Sequence, residues 1–219
     1  MKKEAFVSPL VKLYIKKNAK LKNVTLPDDY VRILQDVTNC YKELNCKIAF
    51  LWLWNFWGRI PNASATIPGI IMINSEWAFQ LVVNGGNEVV RDSFYMTVWH
   101  EMAHQKGDYF FLELFSNSSR FVNWVNEVHA DYYAIEKAFD GSLERGIPAI
   151  DYKLKMKMGR DKDSYTHPSR QRRKEFVEKY DFGEELIREI ARITNCSDSS
   201  LIEKVNTYYT PISFEGNNE

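Results

Sequence analysis

Hydrophobic and polar positions along this chain follow a helical period over most of its length. Leu34, Val37, Tyr41 and Leu44 recur at three- and four-residue steps, which places them on one face of a helix. Thr25-x-x-Asp28, with Pro27 between, has the form of a capping box ahead of that stripe, so the pattern predicts a helix over 27–45. The segment 47–54 is apolar, β-branched and aromatic and reads as a buried strand, although its near-continuous apolarity leaves a helix open. Gly58, Pro61 and Pro68 mark 55–68 as loop. Ile70 to Ile73 is the next strand, between Gly69 and Asn74. Asn84-Gly85-Gly86-Asn87 then breaks the chain ahead of a helix over 88–106. Further helices are predicted at 119–139, 143–158 and 168–180, the last with Pro168 in its first turn. Short helices at 183–194 and 198–208 precede a frayed tail at 215–219. The pattern is that of an α+β chain, mostly helical with a small sheet, forming one domain with a core over about 25–180 and a helical extension over 181–210.

Composition narrows the class. At 219 residues with 45% hydrophobic positions, the chain can bury a sizeable core as one domain. Its 29 basic and 29 acidic residues cancel, so there is no global drive toward nucleic acid or an anionic membrane. The longest apolar run, Ile48 to Trp57, is interrupted by Asn55 and is about half the length of a membrane span. No uninterrupted apolar stretch follows Met1-Lys2-Lys3-Glu4, so no secretory signal is expected. Cys40, Cys46 and Cys196 are odd in number and unpatterned, which suits free thiols in a reducing cytoplasm.

The chemistry concentrates in His100-Glu101-Met102-Ala103-His104. On a helix, two histidines four apart share a face and can bind one metal ion, and the intervening Glu101 can reach a water there as general base. A catalytic zinc site takes three protein ligands and keeps one position open. Glu127 is the candidate third ligand. Asp131, one turn along the same face, can accept the free ring N–H of a metal-bound histidine and so fix its tautomer. His129 lies about 200° around the helix from Glu127 and is not expected to join them. The extended pattern HExxHxxGxxH fails, because Phe110 stands where the third histidine belongs. Gly107 reads instead as a helix C-terminal glycine before an aromatic loop.

Taken together, HEMAH and the downstream Glu127-x-x-x-Asp131 resemble the gluzincin metallopeptidases. Two further stretches resemble the HtpX and CAAX-protease family. Pro61-Asn62-Ala63-Ser64-Ala65 with the strand Ile70–Asn74 is similar to that family's Asn-Ala-x-Ala segment and following strand. Thr166-His167-Pro168-Ser169 with Arg173 is similar to its Thr-His-Pro…Arg element. The four elements occur in family order. The departures are the absence of membrane-spanning helices and a short stretch after HEMAH, and soluble zincins of the Lit and ImmA kind are close competitors as relatives.

The resemblance implies a zincin-like fold and a zinc endopeptidase acting on a protein or peptide substrate. It implies that His167 sits at the cleft and donates to the oxyanion, with Tyr165 a weaker candidate, and that Arg173 orients a carboxylate near the metal. It also implies that Ile70, Ile71, Met72, Ile73 and Asn74 form an edge strand beside the cleft, pairing with extended substrate. Two other readings stand beside this one. The basic runs, with Lys153, Lys155 and Lys157 in one and Arg170, Arg172, Arg173 and Lys174 in the other, can form a nucleic-acid patch, although the acids interspersed with them argue for solvated faces. A non-catalytic zinc-bound interaction domain is the second, against which the general base Glu101 argues.

Overall fold

A computed structural model of the protein describes residues 7–40, 47–51, 61–67, 69–108, 119–157 and 162–214. It is mostly helical with a small sheet, an α+β chain. Its contacts group into two compact units, Met1–Phe94 and Tyr95–Glu219. No described helix is long and apolar enough to cross a membrane.

The first unit opens with α1, Pro9–Lys22, capped by the Ser8 hydroxyl and ended by Asn23 in the left-handed conformation. Its Val11, Ile15 and Ala19 are buried. α2 covers Tyr30–Cys40, and β1 (Lys47–Leu51), β2 (Ala63–Ile67) and β3 (Ile70–Asn74) form one sheet in the order β1-β3-β2. β1 runs parallel to β3 and β2 antiparallel to it, with an irregular register between Ser64 and Ile67. Gly69, at φ +72, supplies the left-handed turn from β2 to β3. α3, Ser75–Asn84, starts where the Asn74 side chain accepts from Trp77 N, and it is buried from Ser75 to Val82. Its buried Glu76 is satisfied by the Tyr14 hydroxyl at 2.6 Å, Gln80 at 2.8 Å and Lys22 at 3.2 Å, which ties α1 to α3.

α4 spans Glu88–Gly107, with Asn87 accepting from Val89 N at its start. In the second unit, α5 (Arg120–Phe139) is the central helix, capped by Ser119 and packed by α6 (Leu143–Lys155), α7 (Arg170–Lys179) and α8 (Glu184–Thr194). α9, Ser199–Tyr208, packs on α8. The core gathers Trp124, Val128, Tyr132 and Ile135 with Phe176, Val177, Leu186, Ile187, Ile190 and Val205. The Tyr132 hydroxyl donates to the carbonyl of Phe176 at 2.8 Å, fixing α7 against α5.

Several sequence expectations change. Residues 63–67, expected in loop, form β2. The strand Ile70, Ile71, Met72, Ile73 and Asn74 exists but is the middle strand, hydrogen-bonded on both sides, so it offers no free edge to an added peptide. α1 and α3 were not anticipated, α2 starts at Tyr30 rather than at 27, and Pro168 precedes the cap Ser169 of α7 instead of entering its first turn. Gly58, Phe110 with most of the aromatic loop, Cys46, Pro68, Gly159-Arg160 and the tail at 215–219 lie outside the described residues.

Candidate metal centre

α4 and α5 each bring one turn of side chain to a common point. His100 and His104, four apart on α4, place their Nε2 atoms 3.2 Å from each other with rings nearly perpendicular. From α5, Glu127 Oε2 stands 3.6 Å from His100 Nε2, and Oε1 stands 3.5 Å from His104 Nε2. One donor atom from each of the three lies within 4.8 Å of the others, so the group can hold a metal ion. Because ligands of this kind must present lone pairs, the far side of each ring decides whether they do. His100 Nδ1 is 3.1 Å from Asp131 Oδ1, and His104 Nδ1 is 2.9 Å from Asp108 Oδ2. Carboxylates accept only, so both Nδ1 atoms carry a proton, which leaves each Nε2 as the atom that can turn a lone pair inward once it holds no proton of its own.

Arg173, on α7, organises the carboxylates. Its Nε donates to Asp131 Oδ2, its Nη2 to Asp131 Oδ1 at 2.6 Å and its Nη1 to Glu127 Oε2 at 2.9 Å. Nη2 also lies 3.2 Å from His100 Nδ1; both are N–H donors, and Asp131 Oδ1 is the acceptor they share. Arg173 and Asp131 are both buried.

Burial alone would push the Glu127 carboxyl up, but Arg173, the histidine hydrogen bonds and His104 hold it well below the usual range. Asp131 is likewise lowered, by Arg173 and His100 against its own burial. For His104, burial works downward, yet the hydrogen bond to Asp108 and the charges of Glu127, Asp108 and Glu101 outweigh it and raise the ring to about 9. A field that binds a proton this strongly also favours a metal cation in the same place.

Glu101 is partly exposed and makes no hydrogen bond or ion pair among the described residues. The loop before α7 brings His167 to the same cluster, with Nε2 3.2 Å from Glu127 Oε1 and Nδ1 2.7 Å from the Thr166 hydroxyl. That loop is held by Ser164, whose backbone N–H donates to the His167 carbonyl and whose carbonyl accepts from Trp124 Nε1, and by Asp163, which accepts from Ser169 N and Arg172 Nε. Tyr165 is exposed.

His129 lies outside the cluster. Its ring packs at tilted and edge-on angles among Tyr209, Phe182 and Tyr133, with centroids 4.4, 5.1 and 6.1 Å away, and burial lowers it to about 4. The basic runs are largely absorbed into the structure: Lys153 and Arg173 are buried, Arg172 pairs with Asp163 and Lys174 with Asp151. Asp108 is the site residue that sequence reasoning missed. Its signal was an acid four residues after the second histidine, just beyond the helical glycine.

No family model, no curated protein and no solved structure matches this chain.

Proposed function

We propose that this chain is a zinc-dependent endopeptidase with a zincin-like fold, a compact relative of the HtpX and CAAX-protease group of gluzincins, acting on a protein or peptide substrate. The observation that carries the reading is the spacing of the inward-facing donors. Ligands about 2.0–2.1 Å from a tetrahedral zinc stand about 3.3–3.4 Å apart; the two imidazole Nε2 atoms are 3.2 Å apart, and each has a different oxygen of Glu127 beside it, Oε2 at 3.6 Å from His100 and Oε1 at 3.5 Å from His104. Two imidazoles and one carboxylate, leaving a fourth position open, match catalytic rather than structural zinc sites.

Zinc, when bound, supplies a Lewis acid that polarises the scissile carbonyl and makes water a competent nucleophile at neutral pH. The chain's own residues do the rest. Glu101, unpartnered beside His100, accepts a proton from the attacking water at a carboxylate oxygen and delivers it to the leaving amide nitrogen as the C–N bond breaks. Asp131 and Asp108 keep the two imidazoles in one tautomer. Arg173 holds Glu127 and Asp131 ionised and in register. His167, at the exposed rim, has an Nε2–H that can leave Glu127 and donate to the developing oxyanion.

The test is Glu101→Gln, which keeps the shape and removes the base. Zinc content by mass spectrometry should stay near the parental one per chain, a ratio set by the site type, while cleavage of a denatured-protein or peptide-library substrate falls by orders of magnitude. Parental cleavage by the variant would overturn Glu101 as the base. Purified protein without zinc, and without affinity for added zinc, would overturn the whole reading.

A further inference from the structure

We infer that the outward face of α1 docks onto an anionic lipid surface. Large apolar side chains exposed singly need no explanation, but a cluster of them does. Among the described residues the exposed large hydrophobics are Leu10, Leu13, Leu21 and Tyr165, at 46, 60, 64 and 60%. Three of these four sit on one helix. At 100° per residue, Leu10, Leu13, Lys17 and Leu21 fall within roughly 80° of one another, while the buried Val11, Ile15 and Ala19 occupy the opposite side. Lys16 and Lys20 border the leucine stripe along one edge and are exposed.

Charge selects the partner. The whole chain is neutral, yet α1 carries five lysines in its sequence PLVKLYIKKNAKLK and no acid. Lys22 is used internally, on Glu76 and over the Phe79 ring. The side chains of Lys16, Lys17 and Lys20 make no hydrogen bond or ion pair among the described residues. A stripe of leucine bordered by unpaired lysine is the composition of helices that lie in a bilayer interface, apolar side chains inserted and ammonium groups among acidic headgroups. Nucleic acid would use the lysines and leave the leucines in water. A stable protein partner needs roughly 800 Å² per side, whereas Leu10 to Leu21 extends only about 16 Å along the helix. A bilayer sets no such requirement, since headgroup charge adds along any flank that touches it.

The experiment is co-sedimentation of the full chain with vesicles of phosphatidylcholine alone and of phosphatidylcholine mixed with phosphatidylserine. Binding to the mixed vesicles, weak or absent on the neutral ones and reduced by added salt, is the expected result. Changing Lys16, Lys17 and Lys20 to Gln should lower the partition coefficient roughly 100-fold, at about fivefold per lysine near the surface. Leu10→Ser, Leu13→Ser and Leu21→Ser together should also lower it, with unchanged circular dichroism because these side chains are exposed. No binding, or equal binding to both vesicle types, overturns the proposal. Binding to heparin and DNA that depends on the lysines but not the leucines also overturns it, in favour of a polyanion-binding face. Retained vesicle binding in both variants moves the contact off α1 and overturns it as well.

Discussion

Arg173 grips Asp131 in a two-point contact, Nε on one carboxylate oxygen and Nη2 on the other at 2.6 Å, with 4% and 1% of the two residues exposed. The same guanidinium reaches Glu127 through Nη1. One α7 side chain therefore bridges two carboxylates of α5, the buried Asp131 and the partly buried Glu127. Arg173→Ala should destabilise the metal-free protein by about 3–5 kcal/mol, the usual cost of stranding a buried charge. Arg173→Lys keeps the charge but loses the planar fork, and should recover only part of that. Urea denaturation with a chelator present measures both. Parental midpoints in both variants would mean that the contact contributes nothing.

In the proposed zinc site, Asp108 would act on the metal through His104. Its carboxylate holds the Nδ1 proton, so Asp108→Ala should weaken zinc affinity about 10–100-fold while leaving the fold intact. A competitive titration against a chromophoric chelator reads this directly. Because His104 in the metal-free protein is raised to about 9, a cation must displace its proton at any lower pH. Affinity should therefore climb as pH rises toward 9 and climb less steeply in the Asp108 variant.

What could be read from the sequence was whatever a single helix fixes by itself. His100 and His104 on α4, and Glu127 and Asp131 on α5, each come to one face because i and i+4 share a face in any regular helix. What could not be read depended on partners elsewhere. β2, Ala63–Ile67, opens with three small residues soon after Pro61 and has its two β-branched residues, Thr66 and Ile67, side by side, so no alternation marks it. α3 is apolar nearly all round, Trp77 to Val82, because it is buried on most sides, and so shows no amphipathic period. α1 carries leucine on its exposed face as well as apolar residues on its buried one, which blurs the same signal. β3 was identified as a strand, but its place in the middle of the sheet is a matter of strand order, which no local pattern encodes. Asp108 lies past the end of α4, where helical spacing no longer guarantees a direction.

Lys153 gives a pH signature separate from the metal. It is 2% exposed and makes no hydrogen bond or ion pair among the described residues. Burial, with Arg170 and Arg173 adding to it against Asp131 and Glu101, holds its pKa well below the usual 10.5. Below 10.5 the unfolded chain binds a proton that the native state refuses, so this lysine costs stability as pH falls from 10.5 to its lowered native value, and the cost is constant below that. Lys153→Met, of similar length, should raise stability at neutral pH by on the order of 1 kcal/mol or more. It should also flatten the rise in stability between neutral pH and pH 10. Thermal melts across that range check both, and a variant no more stable than the parent would show the ammonium to be accommodated.

His167 distinguishes a participant in chemistry from a support of the fold. Its Nε2 reaches Glu127, but Arg173 independently holds that carboxylate, and the loop bearing His167 is fixed by Ser164 and Asp163 rather than by the imidazole. Removing the ring should therefore leave both metal and loop in place. If Nε2–H donates to the oxyanion, His167→Ala should lower kcat about 10²–10³-fold, the cost of losing one such donor. Zinc content and melting temperature should hardly change, the mark of an interaction made mainly in the transition state. His167→Gln, whose amide N–H can reach part of the way, should recover some of the loss. Lost zinc in His167→Ala would instead assign the ring to orienting Glu127. A loss of about 1 kcal/mol in stability with unchanged turnover would reduce it to a loop support. Turnover, zinc content and melting temperature measured on one preparation separate the three roles.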